Sequence, residues 1–191
     1  MPFTTDEAEV VIIPVPWEVT VSYNAGTAEG PMAIATASYQ VDLMDPKIKD
    51  AWKIGLAMDE ANYEIASKNE SMRRKAEAYI EQLEEGELPE TNDDMMRTQK
   101  LLNSECANMN NLVKEQALGW LNQNKIVGLL GGDHSTPMGM IQALAEKKGE
   151  FAILQIDAHA DLRDAFEGFQ YSHASIMFNA LKVKEVTKLV Q

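Results

Sequence analysis

The fold is decided by one continuous stretch. It runs Ile126-Val127-Gly128-Leu129-Leu130, Gly131-Gly132-Asp133-His134-Ser135, a helix-forming segment from Thr136 to Lys148, then Phe151-Ala152-Ile153-Leu154-Gln155-Ile156 and Asp157-Ala158-His159-Ala160-Asp161. The two apolar runs read as buried parallel strands, each ending in a polar loop. In open α/β sheets, ligands bind outside the carboxyl ends of the strands, which is where both loops fall. Asp157, His159 and Asp161 alternate at i, i+2 and i+4, and in an extended segment that spacing directs all three side chains to one face. Acidic and imidazole groups gathered there would repel or strand charge unless a cation sat among them. A metal site is the economical reading; unrelated polar residues on loops are the bland one. All three histidines of the chain, His134, His159 and His173, lie within one window of about forty residues.

Working outward, Val10-Val11-Ile12-Ile13-Pro14-Val15 reads as the first buried strand. Pro16 to Gly30 reads as a loop, and Gly30-Pro31 opens a helix through Tyr39, with Pro31 where its missing N–H costs nothing. Val41-Asp42-Leu43-Met44 is expected to be a second strand, and Ile54 to Met58 fits either a strand or an irregular segment. From Glu60 the pattern turns helical. One helix runs to about Glu85, Glu85-Gly86-Glu87-Leu88-Pro89 breaks it, and Thr91 to Asp94 caps a second that runs to about Gln123. Its expected inner face holds Met95, Leu101, Leu102, Cys106, Met109, Leu112, Val113, Leu118 and Trp120. Leu162 to Gln170 is a polar loop with aromatics, Ala174 to Leu181 a helix, and Val186 to Gln191 the start of another strand.

These readings give an α/β fold: a three-layer, doubly wound, mostly parallel sheet in one domain over residues 1–191, with a long helical insertion over 60–124. At 191 residues the chain can build one sizeable core. A formal net charge of −13 and a pI near 4.6 speak against nucleic acid or an anionic membrane held through a basic patch, and mildly favour a cationic substrate. Cys106 is the single cysteine, so no internal disulfide forms. With no apolar run long enough to span a membrane and no signal peptide at Met1 to Glu7, a cytoplasmic protein is expected.

The runs GGDHS (131–135), DAHADLR (157–163) and YSHAS (171–175) resemble the arginase/agmatinase, or ureohydrolase, family. The resemblance implies a manganese-dependent hydrolase that cleaves a guanidino compound to urea and an amine. It also implies two Mn2+ ions per subunit, with His134 and Asp161 as ligands of one, His159 as a ligand of the other, and Asp157 as the carboxylate bridging them. Two such ions, about 3.5–4 Å apart, would activate a bridging water. His173 matches a histidine suited to protonate the leaving amine. Asp133 and Ser135 are expected to orient the loop or the imidazole.

One departure stands out. Family members carry a later Ser-x-Asp-x-Asp run, which completes both metal sites, and a later Glu that holds the guanidinium. Nothing after His173 matches either, so the chain is expected to be the first two-thirds of a member and to continue past Gln191. Asp164 and Glu167 suit the amine tail of agmatine, whereas Arg163 suits a carboxylate. Agmatine is therefore the expected substrate, with arginine or another guanidino acid as the alternative. A non-catalytic metal-binding half-domain or scaffold is the alternative of another class, and a zinc deacetylase of related fold is a third. The resemblance further implies a homo-oligomer, a trimer or hexamer.

Overall fold

A computed structural model describes residues 3–191. Among the described residues there are five strands: β1 (Val10–Val15), β2 (Leu56–Met58), β3 (Ile126–Gly131), β4 (Phe151–Leu154) and β5 (Val186–Val190). Five α-helices connect them: α1 (Gly30–Ala37), α2 (Tyr63–Glu84), α3 (Asp93–Asn122), α4 (Met138–Lys148) and α5 (Ile176–Ala180). All strand pairs are parallel, as helical crossovers require. The strands form two sheets, ordered β2-β1-β3 and β4-β5. In the first, the opening strand is central and the chain winds away from it in both directions, so a topological switch point lies between β1 and β3. Val15 stands opposite Gly131 there, at the carboxyl ends of both strands.

β1 and β3 form where the apolar runs predict them. β4 is shorter than expected, because Gln155 and Ile156 leave the strand. Gln155 turns its amide toward the His159 carbonyl (3.1 Å), and Ile156 is exposed. The strand expected at Val41 to Met44 does not form. Asp42 and Asp45 accept backbone N–H groups of Met44, Lys47 and Ile48 instead, and these local turns replace a ladder. Ile54 to Met58 resolves into a short helical turn, Ala51–Ile54, followed by β2.

The two long helices start at Asn62 and Asn92. Each side chain accepts two N–H groups of the first turn, satisfying donors that have no partner within the helix. The buried stripe of α3 is Met95, Leu102, Cys106, Met109, Val113, Ala117 and Leu121. Leu101, expected inside, is exposed, and Leu112, Leu118 and Trp120 are only partly buried. This stripe packs with α2 and with Ile13, Val15, Trp17 and Val19 in the main core, which also takes in Phe169. A smaller core joins α4, α5 and the β4–β5 sheet through Met138, Ile141, Ile176, Met177 and Val186.

Candidate metal centre

At the end of β3 the chain is stitched to the loop that follows β1. Gly132 N–H donates to Val15 O (3.1 Å) and Asp133 N–H to Trp17 O (2.8 Å). The two backbones run so close that a Cβ at Gly132 would collide with the Trp17 peptide. Asp133 is buried, and its Oδ1 accepts both the N–H and the hydroxyl of Ser135. Burial pushes the Asp133 carboxyl up despite these bonds, and its Oδ2 has no partner among the described residues. Asp133 and Ser135 thus brace the turn and hold His134 at its crest.

At the end of β4, Asp157 Oδ1 accepts the His159 N–H (2.9 Å) in a tight local turn. That bond is the main cause holding the Asp157 carboxyl below the usual range; burial opposes it, and His134 adds to the lowering. Asp161 has φ 52°, and its carbonyl accepts the Met177 and Phe178 N–H groups of α5. Gln155 Nε2 reaches the Asp161 carboxylate at 3.3 Å.

The segment from Asp157 to Asp161 is therefore bent, and its side chains do not share a face by strand alternation. The structure brings together a different trio: His134, Asp157 and Asp161 offer ligand atoms all within 4.8 Å of one another. His134 Nδ1 lies 2.7 Å from Asp161 Oδ2 and 3.2 Å from Asp157 Oδ2. His159 is outside this trio. Its side chain is 81% exposed, with Nδ1 3.4 Å from Asp157 Oδ1. His159 and His173 instead line a neighbouring pocket of about 480 Å³, with Asp161, Leu162, Arg163 and Phe166. His173 Nδ1 lies 3.3 Å from Ser172 Oγ at the start of the turn preceding α5.

A model of the arginase family matches residues 8–191. The chain belongs to the arginase family. It is 31% identical over 176 residues to an N(1)-aminopropylagmatine ureohydrolase of Thermus thermophilus, a match covering 92% of this chain and 48% of that protein. Its fold resembles the agmatine ureohydrolase of Thermoplasma volcanium (TM-score 0.65, 18% identity, 100% of this chain and 53% of that one). It also resembles the arginase of Medicago truncatula (TM-score 0.67, 23% identity, 97% and 49%). The chain spans about half the length of the relatives it matches.

Family membership makes the placement of the two acidic loop residues informative. Asp164 pairs with Lys182 (3.1 Å). Burial is the main influence raising the Glu167 carboxyl, with Glu84 of α2 adding to it. Neither residue lines the pocket, whereas Arg163 does. The sequence reading missed Gln155, whose amide ties the Asp157–Asp161 loop together. A single carboxamide at the end of an apolar run was the available signal. No helix among the described residues is long and apolar enough to cross a membrane.

Proposed function

We propose that the chain carries part of the catalytic centre of a manganese-dependent amidinohydrolase. Its reaction is hydrolysis of a guanidino compound to urea and an amine, with agmatine, yielding putrescine and urea, as the substrate. The convergence of His134, Asp157 and Asp161 at the ends of β3 and β4 carries this reading. The donor set fits the ion: one imidazole and two carboxylates, with no thiolate, suit Mn2+. The only thiol, Cys106, is buried in the core, and burial pushes it up. His134 and Asp161 would hold one ion and His159 a second, with Asp157 between them. When bound, such ions supply a water-derived nucleophile at neutral pH and offset the crowded carboxylate charge.

The chain's own residues supply the rest. Asp157 stays ionised across the neutral range because its carboxyl is held low. Gln155 and the His159 N–H fix the orientation of the two carboxylates. His173 engages Ser172 through Nδ1. That leaves its Nε2 to deliver a proton to the departing amine. The Phe166 ring and Leu162 give the pocket an apolar part of its lining.

Agmatine, or agmatine lengthened by an aminopropyl group, is supported by the Thermus relative and by the acidic balance of the chain. A second reading, arginine or another guanidino acid, is favoured by Arg163 on the pocket wall. The protein acts in this reading as a homo-oligomer, a trimer or hexamer, in the cytoplasm. Urea assays with Mn2+ on agmatine, aminopropylagmatine, arginine and guanidinobutyrate decide among the substrates. Turnover of a cationic tail supports the proposal, and turnover confined to the guanidino acids replaces it with the second reading. Urea from none of them, with metal bound, returns the chain to a non-catalytic metal-binding module.

A further inference from the structure

The helical segment takes no part in the chemistry proposed above, yet it touches the pocket through one hairpin. Phe166 and Phe169 each donate an N–H to the other's carbonyl, at 3.1 and 2.8 Å. Glu167 and Gly168 at the tip both have positive φ, 54° and 78°, the geometry of a primed two-residue turn. The two rings have different surroundings. Phe169 is fully buried in the core shared by α2 and α3, its ring centroid 5.3 Å from that of Tyr79. Phe166 lines the pocket, meeting the His173 ring edge to face at 5.7 Å and carrying the Arg163 guanidinium at 4.7 Å.

Asn103 of α3 grips this hairpin at two points. Its Nδ2 donates to Gly168 O (2.9 Å), and its Oδ1 accepts the Gln170 N–H (2.7 Å). The Gln170 carbonyl accepts from Ser175 Oγ (2.6 Å) and from Asn179 Nδ2 (2.8 Å). Ser175 Oγ in turn accepts the Ser172 N–H (3.0 Å), in the capping box that opens the His173 turn. An unbroken line of hydrogen bonds joins α3 to the backbone that bears His173.

We infer that Asn103 is a positioning residue: it fixes the Phe166–Gln170 hairpin and so sets where His173 stands in the pocket. The consequence for turnover rests on His173 being the proton donor; the consequence for geometry does not. An amide serves both contacts because it donates and accepts at once. Asn103→Asp keeps the acceptor for Gln170 and loses the donor to Gly168, and Asn103→Leu loses both.

The test is NMR of the full chain labelled at histidine, with amide exchange followed at Gln170. In N103L the His173 ring resonances move, those of His134 and His159 stay, and Gln170 exchanges faster; N103D falls between N103L and the parent. Urea release drops roughly tenfold in kcat in N103L with KM changed less than about twofold, the signature of a misplaced reacting group. Unmoved His173 resonances in folded N103L overturn the inference, as do equal movements of all three histidines, which report general loosening. If N103L does not fold, N103D decides by the same criteria. A parent chain that releases no urea while His173 responds as described counts against the hydrolase and supports the positioning role.

Discussion

His134 Nδ1 and Asp161 Oδ2 lie 2.7 Å apart, although the residues are 27 positions apart in sequence and follow strands of two different sheets. Two independent devices produce this approach. The Gly132–Asp133 backbone is tied to Val15 and Trp17, which fixes His134. Gln155 and the N-terminal N–H groups of α5 fix Asp161.

Gly132→Ala will destabilise the protein. The new methyl meets the Trp17 peptide, which is backbone and cannot swing aside. Overpacking of this kind costs about 1–3 kcal/mol, read as a lowered denaturant midpoint with an unchanged slope. An unchanged midpoint would mean that the two loops are not in contact.

Glu18 gives a pH-dependent prediction. It is buried, and burial alone would raise its carboxyl, but Gly26 N–H, Ala28 N–H and Thr27 outweigh that and hold it low. A depressed folded-state value contributes stability above the unfolded value, about 4.5, that is lost as pH falls through the folded one. Glu18→Gln should therefore cost about 1.5–3 kcal/mol at neutral pH, the worth of hydrogen bonds to a charged group, and flatten the acid limb of the stability curve. Parallel curves for parent and variant would contradict it.

Phe169→Ala removes a fully buried ring from the core of α2 and α3. A loss of about 3–5 kcal/mol is expected in urea unfolding. A cost under 1 kcal/mol, within the range of surface substitutions, would show that the hairpin does not seat there.

His159 contrasts with all three. Its side chain is mostly exposed, so His159→Ala should leave the unfolding free energy within about 0.5 kcal/mol. Under the proposed mechanism the same change abolishes urea release. Full activity would remove His159 from the metal centre.

Most of the fold was legible because β1, β3 and the long helices announce themselves by periodicity, and the family motifs are ordered along the chain. Local chemistry that competes with regular structure was harder to read. Asp42 and Asp45 divert a β-prone run into turns, and Gln155 ends β4 early. The metal-ligand types were visible, but strand alternation placed Asp157, His159 and Asp161 together, whereas the bend after Asp157 and the positive φ of Asp161 give the place beside these carboxylates to His134. Asn103 was invisible, since an amide in a polar helix carries no sign of the distant loop it binds.

Mn2+ titration calorimetry of the parent chain beside Asp161→Asn tests most directly whether His134, Asp157 and Asp161 hold a divalent ion. Saturable binding of at least one ion per chain, lost in the variant while the fold survives, is the predicted result. No saturable binding in the parent, or the same binding in both, would contradict it.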